Sequence, residues 1–122
     1  MKVTSEEKHA LLRALPKLFA SWDLADEQSS ALLSVSKESW ERIRSGVNDE
    51  YIADDQGQRA GALLGIHAAL RTIFVGSRCN DWIQRPNSDP MFSGQSALDF
   101  MIDGGLPAIE RVREYLQAEV AR

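Results

Sequence analysis

The sequence contains one cysteine, two histidines and no long uninterrupted apolar stretch. Because Cys79 has no second cysteine, the chain cannot form an internal disulfide or a metal site built on paired cysteines. His9 and His67 lie far apart, so we expect no zinc site and no other bound metal. The longest apolar stretch, residues 60–75, is interrupted by His67 and Arg71 and is too short to cross a membrane.

Motifs that would indicate an enzyme or a cofactor-binding protein are also missing. The sequence has no glycine-rich phosphate loop, no nucleophile-elbow serine and no metal-binding motif. We therefore expect no catalytic residue, no cofactor and no enzymatic activity. His67 lies on an apolar helix face, and we expect its polar atoms to be satisfied in the core or at an interface. The first residues are polar and contain no apolar signal segment, so we expect a cytoplasmic protein.

The overall composition is that of a folded, acidic protein. The chain has 122 residues, of which 43% are hydrophobic, enough for one compact domain or two small helical units. A formal charge of 14 − 18 = −4 argues against a broad polyanion-binding surface, although one basic helix remains compatible with it. All lysines precede residue 58, and every later basic residue is an arginine, which is favoured at protein interfaces. This bias indicates a protein partner for the second half.

The spacing of apolar residues predicts helices almost throughout and no strand, so the predicted fold is all-α. Thr4 and Glu7 form a capping box for the first helix, and Pro16 is expected to divide that helix. Residues 48–53 are predicted to be a linker. Later helices are predicted at residues 26–33, 37–45 (capped by Ser36), 54–75 (capped by Asp54), 81–85, 96–103 (capped by Ser96, ended by Gly104 and Gly105) and from Pro107 onwards. The last helix is expected to bury Ile109, Val112, Leu116 and Val120.

Residues 26–45 have the pattern of a helix-turn-helix. Ser30 and Ser34 are small enough for two helices to approach closely, and Val35 begins the tight turn between them. The second helix would present residues to DNA: Lys37, Ser39, Arg42 and Arg44. The alternative is a helical hairpin that packs within the protein and binds nothing.

A second pattern begins at Trp82 and combines a Pro-Asn turn with spaced aromatic residues. Asn87 can accept from its own backbone and close the turn, and Asp99 can accept from amides at a helix start. The aromatic residues are placed to lock the loop. The pattern consists of Trp82, Pro86, Asn87, Phe92, Gly94, Leu98, Asp99, Gly104, Gly105, Val112, Tyr115 and Leu116. All of these residues could also be purely structural.

These residues resemble the toxin-binding domain of the Xre/MbcA/ParS antitoxins, which are partners of RES-domain toxins. The helix-turn-helix pattern resembles the Xre-like unit of the same family, so the resemblance covers nearly the whole chain. It implies a helix-turn-helix domain at residues 1–50, packed on a toxin-binding domain at residues 54–122. Ala97 departs from the family pattern, which usually has proline there, and this change loosens the predicted helix start.

The resemblance implies an antitoxin that inhibits a NAD-depleting RES-domain toxin, and a toxin–antitoxin complex that binds its own operator DNA. We expect a homodimer with no membrane association. The resemblance suggests these toxin-binding residues: Trp82, Arg85, Asn87, Phe92, Arg113, Leu116, Glu119 and Arg122. Inhibition could come from the last helical turn entering the active site of the toxin, or from occlusion by the loop at residues 82–94. Alternatives to an antitoxin are a stand-alone helix-turn-helix transcriptional regulator and a helical adaptor.

Overall fold

The computed structural model describes residues 4–46, 52–76 and 78–122, and these ranges are almost entirely helical. The prediction of an all-α fold is confirmed. Within the described ranges no strand forms, and the one β-type contact is an isolated bridge between Pro86 and Ser96. None of the described helices combines the length and apolar character needed to cross a membrane. The α-helices are α1 (Ser5–Ser21), α2 (Asp26–Leu33), α3 (Lys37–Arg44), α4 (Asp54–Ile73), α5 (Arg78–Asp81) and α6 (Ala97–Val120).

Helix α1 begins at the predicted capping box and continues through its proline. The Thr4 hydroxyl accepts from the Glu7 amide at 3.1 Å, and the Glu7 carboxylate accepts from the Thr4 backbone. The prediction that Pro16 divides the helix is wrong. An interior proline costs about 3 kcal/mol, but the helix buries apolar side chains on both sides of Pro16, and that burial outweighs the cost. The buried side chains are Leu12, Leu15, Leu18, Phe19 and Trp22.

Helices α2 and α3 form a short hairpin beside α1. Ser34 adopts the left-handed conformation (φ 56°) that ends α2. The predicted cap of α3 is confirmed, because the Ser36 hydroxyl accepts from the Ser39 amide at 3.0 Å. Ser29 of α2 is buried, and Ser30, which the sequence analysis expects at a close helix contact, is half-buried. The all-helical fold is therefore clear here, while a DNA-binding arrangement remains a prediction.

Helix α4 is the central element and packs against both α1 and α6. Its cap differs from the prediction: Ala53 occupies the cap position, and its amide donates to the Gln56 side chain at 3.1 Å. Asp54 is instead the first helical residue, and its carboxylate lies 2.6 Å from Nζ of the buried Lys8 on α1. The same Nζ donates to the Ile52 carbonyl at 3.1 Å, so the starts of α1 and α4 are joined.

A single apolar core connects the two ranges that the sequence predicts to be separate domains. The core includes Leu15 and Leu33 from the first range and Leu63, Met101 and Ile109 from the second. Most of the predicted linker, residues 48–51, lies outside the described residues. The position of a domain boundary therefore stays a prediction, but the helices on either side of it share one interior.

Helix α6 contains a sharp kink at the predicted Gly-Gly break. Gly105 has φ 68° and ψ −153°, outside the helical region and suited to glycine. Beyond the kink, the predicted stripe is buried at Ile109, Val112 and Leu116. Val120 is 41% exposed, contrary to the prediction, because it lies in the last turn of the helix, where it has little core to pack against.

Candidate protein-interaction site

The loop that carries the Trp82 pattern begins with two short helical turns. The predicted helix at residues 81–85 is instead α5, which ends at Asp81, followed by a 3₁₀ turn at Trp82–Gln84. Arg85 then leaves the helical region, as expected for a residue that precedes proline. Gln84 extends from the turn to α1, where Nε2 donates to the Trp22 carbonyl at 2.8 Å. The start of the loop is thereby attached to the first helix.

Side-chain caps hold the middle of the loop in one conformation. The predicted Asx turn is confirmed, because the Asn87 side-chain oxygen accepts from the Asp89 amide at 3.0 Å. Asp89 forms a second turn of the same kind, in which its side-chain oxygen accepts from the Met91 amide at 2.9 Å. The Asn87 amide donates to the Gln95 carbonyl at 3.0 Å, which closes the two ends of the loop on each other. Local hydrogen bonds of this kind make the loop a fixed surface.

An aromatic cluster packs beneath this loop and confirms the prediction that aromatic residues lock it. Phe92 is completely buried, and its ring contacts Trp82 at 6.0 Å, Phe100 at 5.3 Å and Tyr115 at 5.7 Å between ring centroids. Trp82 also stacks on Tyr115 at 6.5 Å. Edge-to-face aromatic pairs of this geometry each contribute about 0.5–1.5 kcal/mol. The cluster therefore fixes the loop against α6.

Tyr115 brings the loop and the last turn of α6 together. Burial raises the pKa of Tyr115, and the nearby negative charges of Asp89 in the loop and Glu119 in α6 raise it further. Glu119 also pairs with Arg122 at 3.7 Å, and the Arg122 side chain is 79% exposed. We use the term Tyr115 surface for the outer face formed by Asp89, Tyr115, Glu119 and Arg122.

The Tyr115 surface contains some of the predicted toxin-binding residues and excludes others. Arg85 is exposed, and its guanidinium lies 3.8 Å from the Asp81 carboxylate. Asn87 and Trp82 are half-buried beside this surface. Phe92 and Leu116 are 0% and 2% exposed, so both side chains belong to the core of this structure, and their contact with a toxin stays a prediction.

Arg113 lies apart from this surface. It is two positions from Tyr115, so it points to the other side of α6, and its side chain packs against Gly65 of α4. A Cβ atom at Gly65 would lie 3.1 Å from Cδ of Arg113, so glycine permits this contact within the chain. The structure therefore does not place Arg113 with the other predicted toxin-binding residues.

The predicted DNA-binding residues all lie on α3. Lys37 and Arg42 are exposed, whereas Ser39 is half-buried. Nη1 of Arg44 lies 3.3 Å from the Asp26 carboxylate, which also accepts from the Trp40 indole at 3.1 Å. Exposed acidic residues, Glu38 and Glu41, share this short helix. The surface of α3 is therefore mixed in charge.

Sequence reasoning missed Tyr115 and Asp89 as members of one surface. Tyr115 belongs to the Trp82 pattern, but only the folded chain shows that it contacts residues from both the loop and the last helix. No group of three or more His, Cys, Asp or Glu side chains within the described ranges could hold a metal ion. The arrangement therefore offers a fixed polar and aromatic surface for binding.

Comparisons with known proteins identify one informative relative. No protein-family model matches the sequence, and no solved structure matches it significantly. The uncharacterized protein y4oB of Sinorhizobium fredii is 36% identical over 112 residues, which cover 90% of this chain and 84% of that protein. Because y4oB is uncharacterized, the resemblance to antitoxins remains a prediction. The extent and identity of this match show that the chain belongs to the same family as y4oB.

Proposed function

We propose that this protein is an antitoxin that binds and inhibits a RES-domain, NAD-depleting toxin. The observation that carries the proposal is the fixed loop of residues 82–96, which the aromatic cluster holds against α6. The most specific residues of the antitoxin-like pattern have clear roles in this arrangement. Trp82 and Phe92 form the cluster, and Asn87 closes the turn. A loop fixed before binding loses little conformational entropy on contact with a partner, which favours a tight complex.

The Tyr115 surface has the charge pattern that an enzyme active site can accept. Arg85 of the loop and Arg122 of the Tyr115 surface are largely exposed, with side chains 65% and 79% accessible, and each pairs with a neighbouring carboxylate on the surface. Such exposed pairs are weak, so their arginines can re-pair with acidic groups of a toxin at little cost. Asp89 and Glu119 lie beside Tyr115 and could occupy the part of the active site that binds the phosphates of NAD.

Coexpression with a RES-domain toxin provides the direct test. The toxin is expressed alone and with this protein, and cellular NAD and copurification of the two proteins are measured. We expect a stable complex and preserved NAD. The double substitution Arg85→Ala and Arg122→Ala should weaken the complex by at least about tenfold, because it removes two charge-assisted contacts. Arg13→Ala with Arg78→Ala is the matched control, since these exposed residues of α1 and α5 lie outside both the loop and the Tyr115 surface.

A protein that neither binds the toxin nor preserves NAD would contradict the proposal. Because a binding protein can discriminate between related partners, a RES-domain protein encoded next to this protein would be the toxin to test first. Copurification in the absence of NAD protection would support binding without inhibition, and would also contradict the proposed activity.

Operator binding by the toxin–antitoxin complex is part of the proposal, and a stand-alone transcriptional regulator is the alternative. The alternative receives less support from α3, because Arg44 pairs with Asp26 and two glutamates share the helix. Phosphate contacts from one such helix are few, so useful affinity requires a homodimer or a toxin-bridged assembly. The double substitution Arg42→Ala and Arg44→Ala should abolish operator binding and leave toxin inhibition intact.

A further inference from the structure

A cleft lies between α1, the end of α4 and α5. Its volume is about 510 Å³, within the range of about 300–1,000 Å³ that is usual for small-molecule sites. Part of the lining is apolar and comes from Ala14, Leu18 and Leu64. None of the residues that line the cleft belongs to the Tyr115 surface or to α3, so it is independent of the function proposed above.

The charged residues of the cleft are all basic, although the protein as a whole has a net charge of −4. Lys17 from α1 and Arg71 from the last turn of α4 line it, and no Asp or Glu does. Among the described residues neither cation has an ion-pair partner. Other basic residues do pair with carboxylates: Lys8, Arg44, Arg59, Arg85 and Arg122. Two unpaired cations facing one cleft attract an anion.

His67 adds a hydrogen-bonding atom that nothing in the described structure uses. It lines the cleft, and its Nδ1 atom is inaccessible to solvent and has no hydrogen-bond partner among the described residues. The prediction that His67 is fully satisfied is therefore wrong. The Trp22 ring packs against it edge-on at 6.4 Å, which holds the imidazole in place. Buried polar atoms without a partner are uncommon and call for an explanation, such as an ordered water, local strain or a functional role.

We propose that this cleft binds a small organic phosphate, namely a phosphate monoester with an apolar body. Lys17 and Arg71 would pair with the phosphate, whose charge of nearly −2 matches two cations better than a single carboxylate does. The apolar body would pack on Leu18 and Leu64. His67 lines the same cleft, and its solvent-inaccessible Nδ1 atom is not assigned a contact with the ligand.

Titration calorimetry on the full chain in phosphate-free buffer tests this proposal, with phenyl phosphate as the probe. We expect saturable binding of one molecule per chain. Inorganic phosphate lacks the apolar body and phenylacetate has a single negative charge, so each should bind at least about tenfold more weakly. Phenyl phosphate should also slow alkylation of Cys79, because this buried thiol lines the same cleft.

Substitutions separate specific binding from a general effect of charge. The double substitution Lys17→Gln and Arg71→Gln should weaken phenyl phosphate binding at least about tenfold, because it removes both phosphate partners. Arg13→Gln with Arg78→Gln is the matched control: it removes the same charge from exposed positions on α1 and α5 that do not line the cleft. We expect this control to change the affinity by less than about threefold, because it removes only a long-range electrostatic attraction that salt screens.

Three results would overturn the proposal. The first is the absence of saturable phenyl phosphate binding by the wild-type protein. The second is an equal loss of affinity in the cleft and control variants, which would show that only overall charge matters. The third is equal affinity for inorganic phosphate or phenylacetate, which would remove the assigned ligand class. All the substituted residues are exposed, so circular dichroism should show the same helical fold in every variant.

Discussion

The side chain of Gln84 is hydrogen-bonded to the backbone of Trp22 across 62 positions of sequence, with Nε2 donating to the carbonyl oxygen at 2.8 Å. The same nitrogen donates to the Asp23 carbonyl at 3.0 Å. These carbonyls lie just beyond the last residue of α1, where backbone acceptors have no partner within the helix. Gln84 therefore satisfies two backbone carbonyls just after the first helix and anchors the start of the loop at residues 82–96.

Replacing Gln84 with alanine should lower the free energy of unfolding by about 1–2 kcal/mol. The substitution removes two hydrogen bonds and leaves their carbonyl acceptors without this donor. Chemical denaturation followed by circular dichroism measures the change. Gln58→Ala is the matched control, because Gln58 is exposed on α4 and should change stability by no more than about 0.5 kcal/mol. Equal effects of the two substitutions would show that the Gln84 contact does not stabilise the fold.

Two glycines in helices should respond to alanine in opposite directions. Gly105 has φ 68°, and a Cβ atom there would also lie 3.3 Å from Nη2 of Arg59, so Gly105→Ala should destabilise by about 1–3 kcal/mol. Gly61 has helical geometry, and a Cβ atom added there would have its nearest neighbour, Cδ1 of Leu11, at 3.9 Å. Gly61→Ala should therefore stabilise by about 0.5–1 kcal/mol. Thermal unfolding of both variants checks the signs, and a stable Gly105→Ala variant would contradict the assigned kink.

The helices could be predicted from the sequence wherever the signal is local. The caps at Thr4, Ser36 and Ser96 are contacts between residues three positions apart, and each is present in the structure. The predicted break at Pro16 is wrong because the helix is held by tertiary burial on both sides of the proline. The helix-breaking tendency of a single residue does not include that burial. Val120 was misread for the same reason, since burial of the last helical turn depends on which elements reach it.

The candidate surface was less predictable, because it depends on contacts between distant residues. Asn87 and its turn follow from local chemistry, and the structure contains them. The meeting of Asp89 and Glu119 at Tyr115 requires the loop to fold onto α6, which no short-range pattern specifies. The direction of Arg113 likewise depends on the packing of α6 against Gly65 of α4.

Folding stability should decrease at mildly acidic pH because of His67. Burial, and then the positive charge of Arg71, lower the pKa of His67 below its usual 6.5. The folded state therefore disfavours the protonated ring. The contribution of the neutral ring to the free energy of unfolding is complete above pH 6.5 and is lost as the pH falls through the folded-state pKa of His67. Denaturation at pH 7.5 and at pH 5.5 should show that the free energy of unfolding decreases more between these pH values for the wild type than for His67→Gln. His67→Asn, which also cannot titrate, should behave like His67→Gln. If both variants keep the pH dependence of stability seen in the wild type, His67 is not its cause.

Deleting residues 119–122 should leave the fold intact and remove toxin inhibition. This prediction rests on the proposed antitoxin function and assigns inhibition to the last turn of α6. The deletion removes no buried side chain: Val120 is 41% exposed, Arg122 is exposed, and Glu119 is half-buried. The free energy of unfolding should therefore change by no more than about 0.5 kcal/mol. Glu119 and Arg122 would then be missing from the Tyr115 surface, while the loop and its aromatic cluster would remain.

The decisive measurement compares NAD loss at equal occupancy of the toxin by the full-length and truncated proteins. We expect the truncated protein to bind the toxin through the loop, with affinity reduced by about tenfold for one lost charged contact, and to leave NAD depletion unsuppressed. A deletion of residues 121–122 alone is the control, because it keeps Glu119 beside Tyr115 and should retain part of the inhibition. If the longer deletion still suppresses NAD loss at full occupancy, the last turn is not the inhibitory element. The loop at residues 82–94 would then block the active site, and Arg85→Ala should relieve inhibition in the truncated background.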